Sequence, residues 1–416
     1  PFEKLLSPAV DLAAHGFSIT SSQAQRFNTY VDEFQQYSTF APKPFLKPTA
    51  WQKNDTLKQP ALARTLRRIQ DHKRAGFYQG KTSQYLIREM KRCGGLITQE
   101  DLDEYQARFR APVSVPFRGY EVHSMPPPSS GGIALGQLLK LIDPYPLNKW
   151  GKNSGKTRHI MAEAMKLTYA DRSAHLGDPA FHDVPRTMLL DSGYLAQRRE
   201  QIALDEAMDV DKVEAGEVSS RIRGQTTHFS IVDESGNAVS ITTTLNTPYG
   251  SKVYVGRAGF FLNSEMNDFS LKPGYPNVYG LRSGLNNAIA PGKRMLSSMT
   301  PTIVTRQDSL YAVLGSPGGS TIITTVFQTL LNITVFDMPM QAAVDRGRFH
   351  HQWKPDYLLM EYNRPFSLST ILDLYNRGQT VLPFPPLGSV DAIKVMEDGT
   401  LAGGADPRGS DTAMGY

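Results

Sequence analysis

Thr226-Thr227-His228-Phe229-Ser230-Ile231-Val232 runs through Glu234-Ser235-Gly236-Asn237 into Ala238-Val239-Ser240-Ile241-Thr242-Thr243-Thr244. β-Branched and aromatic residues alternate with small polar ones on both sides of a Gly-Asn turn, which spells the two strands of a hairpin. Upstream, Asp205 to Gly224 is charged and poor in large apolar residues, and it ends in Arg221-Ile222-Arg223-Gly224-Gln225. That stretch reads as an exposed connector feeding the first strand. Downstream, strands are expected at Thr302 to Thr305 and Leu310 to Leu314. A strong helix starts near Ser320, and its stripe of Ile322, Ile323, Val326, Phe327, Leu330 and Leu331 is broad enough to lie flat against a sheet.

The first 225 residues read differently, as mostly helical. Pro60 opens a helix through Ala61, Leu62, Leu66 and Ile69; Thr82 to Cys93 forms another, stopped by Gly94-Gly95; Thr98 caps a short one over Gln99 to Tyr105. Val113 to Val115 and Tyr120 to Val122 flank a tight turn as a hairpin. A Pro-rich then Gly-rich loop, Met125 to Gly132, feeds a helix over Ile133 to Leu141, and Ile160, Met161, Ala164, Met165 and Thr168 mark one more. Strands backed by such helices imply layers.

Composition excludes several classes. Among 416 residues, 40% are hydrophobic and 20% charged, which no disordered, collagen-like or coiled-coil chain matches. The 45 Lys and Arg against 40 Asp and Glu leave a surplus too thin and too scattered to argue for nucleic acid. No apolar run has the length of about 20 residues that a membrane helix needs. The single cysteine, Cys93, excludes an internal disulfide framework and Cys-based zinc sites, and is expected to be a half-buried structural thiol. The chain opens with Pro1 rather than Met, which suggests a processed or truncated start.

Several places could carry chemistry. At the junction Gly224-Gln225-Thr226-Thr227, a hydroxyl begins a strand after a connector. If the preceding peptide bond is cut, the freed α-amine, with a pKa of about 7.7 to 8.0, can serve as base for the hydroxyl beside it. The plain alternative is a pair of β-formers opening a strand. Gly315-Ser316-Pro317-Gly318-Gly319-Ser320 turns a strand into a helix whose first N–H groups suit an oxyanion or carboxylate; without the Walker lysine it is no phosphate loop, and it could be a bare turn. Glu265 and Asp268, three apart after Phe260-Phe261-Leu262, could grip an ammonium group or be solvated loop acids. Ser297-Ser298 could bind a carboxylate or only form a turn. His350-His351 invites a metal, but neighbouring residues of a strand point to opposite faces and no third ligand accompanies them, so no metal is expected.

Taken in order, these segments resemble the γ-glutamyltranspeptidase (glutathione hydrolase) family of N-terminal-nucleophile hydrolases. The resemblance runs from Glu3-Lys4-Leu5-Leu6-Ser7-Pro8-Ala9-Val10 through Met125 to Gly132, Ala170-Asp171-Arg172-Ser173 and Ala405-Asp406-Pro407-Arg408, and is densest from Thr226 to Gly250. It implies an α+β fold, a four-layer αββα sandwich. It also implies autocleavage between Gln225 and Thr226, residues 1–225 being the C-terminal part of a mostly helical large subunit and 226–416 a strand-rich small subunit, joined as a heterodimer from one precursor. By the same resemblance Thr226 is the nucleophile and Thr244 hydrogen-bonds its hydroxyl. Asn246, Glu265 and Asp268 hold the substrate α-amino group, Ser297 and Ser298 its α-carboxylate, Gly318 and Gly319 form the oxyanion hole, and Tyr279 belongs to a lid.

The implied reaction passes the γ-glutamyl group of glutathione or related amides through a Thr226 ester to water or to an amino-acid or peptide acceptor, with no cofactor, in the periplasm or outside the cell. The family pattern begins before Pro1, so an upstream arginine for the carboxylate and part of the sandwich are expected to be absent. A cephalosporin or glutaryl acylase on the same fold, or an unprocessed inactive scaffold protein, are the alternatives.

Overall fold

The computed structural model describes residues 1–212 and 226–415. Arg221 to Gln225, and with them the expected scissile bond, lie outside the described residues. The described chain forms two compact units, residues 1–109 with 247–264, and residues 110–246 with 265–416. This partition does not follow the expected subunit boundary at 225/226.

The first unit carries the helices Pro60–His72, Gly80–Cys93 and Gln99–Glu104. Pro60 suits a first-turn position because its missing N–H costs no helical bond there. At Thr98 a reciprocal box closes the last of these helices: Asp101 N–H donates to Thr98 Oγ1 at 3.3 Å and Thr98 N–H to Asp101 Oδ2 at 2.7 Å. An aromatic cluster of Phe27, Phe34, Phe45, Trp51, Tyr254 and Phe261 is buried in this unit, with the Phe34 and Phe261 rings stacked 5.1 Å apart. Cys93 is a correction: it is exposed. It is the last residue of its helix, one step before the left-handed Gly94, where the apolar face that buries Leu86 and Met90 has already run out.

The second unit is built on a six-stranded sheet. We number its main elements β1 (Val113–Phe117), β2 (Tyr120–Ser124), α1 (Gly131–Ile142), α2 (Gly155–His175), β3 (Thr226–Val232), β4 (Ala238–Thr244), β5 (Thr302–Arg306), β6 (Ser309–Gly315), α3 (Ile322–Thr334), β7 (Asp391–Val395) and β8 (Leu401–Ala405). The sheet order is β8-β7-β6-β5-β2-β1, antiparallel throughout. A smaller sheet joins Phe349–His350, Leu358–Glu361 and Val381–Phe384, the last two in parallel. The fold is therefore mixed α+β.

Alternation along β6 separates two faces. Ala312 and Leu314 join the main core with Ile133, Leu138, Met165, Phe327 and Leu330 from the helices. Gly315 faces the other way, where a Cβ would stand 2.3 Å from the His228 ring, so only glycine lets β3 approach. The β3–β4 hairpin thus covers the face opposite α1 and α3, lying over β5, β6 and β7. Helix α3 departs from its expected one-sided stripe: every residue from Ile322 to Ile333 is buried, because α1 and neighbouring elements cover what the sheet does not. Full burial of each such Leu, Ile or Phe contributes about 1.5 to 3 kcal/mol.

The hairpin inverts the usual pattern. Thr226, His228, Ser230, Ser240, Thr242 and Thr244 face the sheet, while Phe229, Ile231, Val239 and Ile241 are exposed. Hydrogen bonds fasten the polar face: Ser240 Oγ donates to Leu314 O at 3.1 Å and accepts from Thr302 N–H at 3.1 Å, and Ser230 Oγ donates to Asp391 O at 3.0 Å. His228 bridges Thr242 Oγ1 and Ser230 Oγ at 2.9 and 3.1 Å, and burial pushes its pKa down to about 4, so the ring is neutral at physiological pH. No helix among the described residues is long and apolar enough to cross a membrane.

Candidate active site

Thr226 is the first described residue after the connector and opens β3. Its register partner across the hairpin is Thr244, and Thr226 Oγ1 donates to Thr244 Oγ1 at 3.2 Å. The pairing follows from the turn: with Asp233 to Asn237 closing the hairpin, the two ends of β3 and β4 meet, and period two puts both hydroxyls on the sheet-facing side. Just beyond β4, Asn246 takes a left-handed φ of +74°, which Asn tolerates better than most residues, and its N–H turns back to Thr244 Oγ1 at 2.8 Å.

From Asn246 the network continues to Tyr279. The buried phenol donates to Asn246 O at 2.9 Å and also touches Asn246 Oδ1, while Asn246 Nδ2 donates to Asn267 Oδ1 at 2.7 Å. The Tyr279 ring lies against Gly319, where a Cβ would stand 2.7 Å from it; a φ of +59° independently favours glycine there. Gly318 and Gly319 end the crossing from β6 into a single 3₁₀ turn, Gly319–Thr321, and α3 starts two residues later than the expected Ser320. Tyr169 Oη, from α2, donates to Ser320 O at 2.5 Å and holds this turn from behind.

Glu265 and Asp268 begin and end another 3₁₀ turn, so their carboxylates share a face. Burial, then the neighbouring charge of Asp268, pushes Glu265 up to about 7; burial pushes Asp268 up to about 7 against the opposing pull of Arg172. Carboxyl groups raised this way are partly protonated near neutrality, and a cation placed beside them would favour their ionised form. Asn277 ties this turn to the Tyr279 segment, its Nδ2 donating to Asp268 Oδ1 at 3.3 Å and its Oδ1 accepting Tyr279 N–H at 2.9 Å.

Ser297 and Ser298 lie against the Ser129-Ser130 loop. Ser130 N–H and Oγ both donate to Ser297 O, at 2.9 and 2.7 Å, and Ser129 Oγ donates to Met299 O at 2.7 Å. Arg172, almost fully buried on α2, donates through Nε to Ser130 Oγ at 3.0 Å and through Nη2 to Ser298 Oγ at 3.3 Å. Ser297 Oγ is buried with no hydrogen-bond partner among the described residues.

The hydrogen bonds, ring contacts and charge interactions above link Thr226, Thr244, Asn246, Tyr279, Gly319, Asp268, Glu265 and Ser298 into one cluster, with Ser297 and Gly318 adjoining it in sequence. Sequence reasoning gave no role to Arg172, Tyr169, Ser130 or Asn277. The ADRS and PSSGG segments were visible, but nothing in helical spacing marks which buried residue reaches a loop more than a hundred positions away. His350 backs the cluster, its ring edge-on to Tyr169 at 5.5 Å and bonded to Thr324 Oγ1 and to Gln352 Oε1, with Gln352 Nε2 donating to Tyr279 O at 3.1 Å; His351 meets Asp356 Oδ1.

The family model for gamma-glutamyltranspeptidase matches residues 1–416. A glutathione hydrolase proenzyme of Escherichia coli is 43% identical over 100% of this chain and 72% of its own length, and one of Pseudomonas aeruginosa is 42% identical over 98% and 72%. The crystal structure of cephalosporin acylase from Bacillus halodurans superposes with a TM-score of 0.85 at 25% identity, covering 100% of this chain and 75% of the acylase. With the family model spanning its whole length and relatives above 40% identity, the chain belongs to the gamma-glutamyltranspeptidase family.

Proposed function

We propose that the protein is a γ-glutamyl hydrolase and transferase acting on glutathione and related γ-glutamyl amides, with Thr226 as its N-terminal nucleophile. The observation that carries this reading is the Thr226–Thr244 hydroxyl pair at the head of β3, directly after the connector. Thr226 Oγ1 attacks the Gln225 carbonyl, the peptide C–N bond breaks as an ester forms, and water splits the ester. Residues 1–225 then end in a carboxylate and residues 226–416 begin with a free amine. In turnover that amine takes the Thr226 hydroxyl proton, Oγ1 adds to the substrate γ-carbonyl, and the oxyanion is met at the Gly318-Gly319 turn. The leaving amine takes the proton, and water or an acceptor amine releases the γ-glutamyl group. Glu265, Asp268 and Asn246 hold the substrate ammonium, and Ser297 with Ser298 its carboxylate.

The acylase likeness supports a second reading, in which a glutaryl-type acyl group occupies the same site. The raised pair Glu265 and Asp268 favours the first, because a glutaryl chain brings no cation to offset two half-buried acids. The expected location is the periplasm or the cell exterior. The test is mass spectrometry of the purified protein with γ-glutamyl anilide turnover. Wild type should give a fragment starting at Thr226, whereas Thr226→Ala should stay uncleaved and inactive; a small fragment starting at any other residue overturns the assignment.

A further inference from the structure

We propose that Arg172 is a positioning residue for substrate carboxylate recognition, holding Ser297 and Ser298 in the orientation that receives the γ-glutamyl α-carboxylate. The inference rests on the γ-glutamyl reading and adds a residue to it. Arg172 is 3% exposed and projects from α2, far in sequence from the serines it serves. Its two bonds act on both. Nη2 donates to Ser298 Oγ at 3.3 Å, filling an acceptor site on that oxygen and leaving the Ser298 proton to be given elsewhere. Nε donates to Ser130 Oγ at 3.0 Å, and Ser130 passes the constraint on by donating its own hydroxyl and N–H to Ser297 O. The Ser297 backbone is thereby held in place, while its hydroxyl is buried and without a partner among the described residues, and a carboxylate oxygen would satisfy it.

Charge points the same way. Arg172 bonds the Ser298 hydroxyl directly and also interacts electrostatically with Asp268 of the carboxyl pair proposed to meet the ammonium. A zwitterionic α-amino-acid head finds its two ends complemented across this one residue. The planar fork of Arg supplies two divergent N–H bonds, which a Lys ammonium on a flexible stem does not reproduce.

The test uses the full-length, cleaved enzyme and two substrates, γ-glutamyl anilide and 4-aminobutyryl anilide, which lacks only the α-carboxylate. Arg172→Lys and Arg172→Gln should raise KM for γ-glutamyl anilide by about thirtyfold or more, with kcat within about threefold, as expected for losing the charged partner of a buried polar group. The preference for γ-glutamyl over 4-aminobutyryl anilide should collapse in both variants. Ser130→Ala, which keeps the charge and removes the relay, should raise KM in the same sense by a smaller factor. A fall in melting temperature with the preference intact in Arg172→Lys and Ser130→Ala overturns the proposal and leaves Arg172 a structural residue. Should Arg172→Gln fail to fold, those two variants decide. A wild-type enzyme that does not prefer the carboxylate-bearing substrate removes the γ-glutamyl reading itself, which separates the two failures.

Discussion

Glu265 and Asp268 show at the scale of single residues how partial burial and neighbouring charge set the protonation of a carboxyl pair. Both carboxyls are raised to about 7 against ordinary values of 4.5 and 3.8. A raised acid contributes stability that is present below its unfolded pKa and lost as pH rises through the folded value, so from about pH 4 to 7 the contribution of this pair to stability declines. A bound ammonium reverses this by pairing with the ionised form. Binding of glutamate, which carries the ammonium, should therefore weaken as pH falls below about 7, approaching a tenfold loss per pH unit if one proton is taken up. Glutarate, which has no ammonium, should not lose affinity over the same interval. Isothermal titration of both ligands from pH 5.5 to 8.5 checks it, and parallel pH profiles would mean the pair does not see the ammonium. The three-residue spacing was readable in the sequence, but spacing alone suits a solvated loop as well. Burial decides, and burial comes from the Asn277 and Tyr279 segment folding back, which no local pattern announces.

Among the elements, α2 does the most positioning. Tyr169 holds the Ser320 carbonyl behind the glycine turn, Arg172 bonds Ser298 and Ser130, and the Ser173 carbonyl accepts Gly284 N–H, just after the Tyr279 segment, at 3.3 Å. Tyr169→Phe removes a single hydroxyl and leaves the Ser320 carbonyl without that donor, a change worth about 1 to 3 kcal/mol. Because the affected turn contains the proposed oxyanion site, kcat should fall by about five- to a hundredfold while KM for γ-glutamyl anilide stays nearly constant. The opposite split, KM rising with kcat unchanged, would show that Tyr169 serves substrate binding instead. The helical period of α2 was legible from Ile160 to Thr168, yet nearly every residue from Gly155 to Ser173 is buried, so no exposed stripe distinguishes a face that serves the site from one that serves the core. The β3–β4 hairpin was legible to the residue at its turn. Its orientation was not, because its polar side faces the sheet and its apolar side faces outward.

In the whole molecule, the proposed cleavage divides a sheet without dividing its hydrogen bonds. β1 and β2 precede the connector and β5 to β8 follow it, yet β2 and β5 pair in register from Glu121↔Thr305 to Ser124↔Thr302 at the middle of the order β8-β7-β6-β5-β2-β1. Helices α1 and α2 from before the connector and α3 from after it share one buried core. Individual strands were readable, but this order was not: it depends on pairings about 180 residues apart, which turn signals and period do not encode. Separating the pieces would expose that core and break a central ladder, at a cost far above what one peptide bond's loss of chain connectivity offsets. Fragments 1–225 and 226–416 should therefore co-elute as a single species in native size-exclusion chromatography, at the volume of uncleaved Thr226→Ala, and appear as two bands only after denaturation. Urea should unfold both fragments' parts of the sheet in one transition, since neither half of the ladder is complete without the other. Two native peaks, or a fragment that unfolds independently with its strands intact, would show that the core does not span the cleavage site in solution.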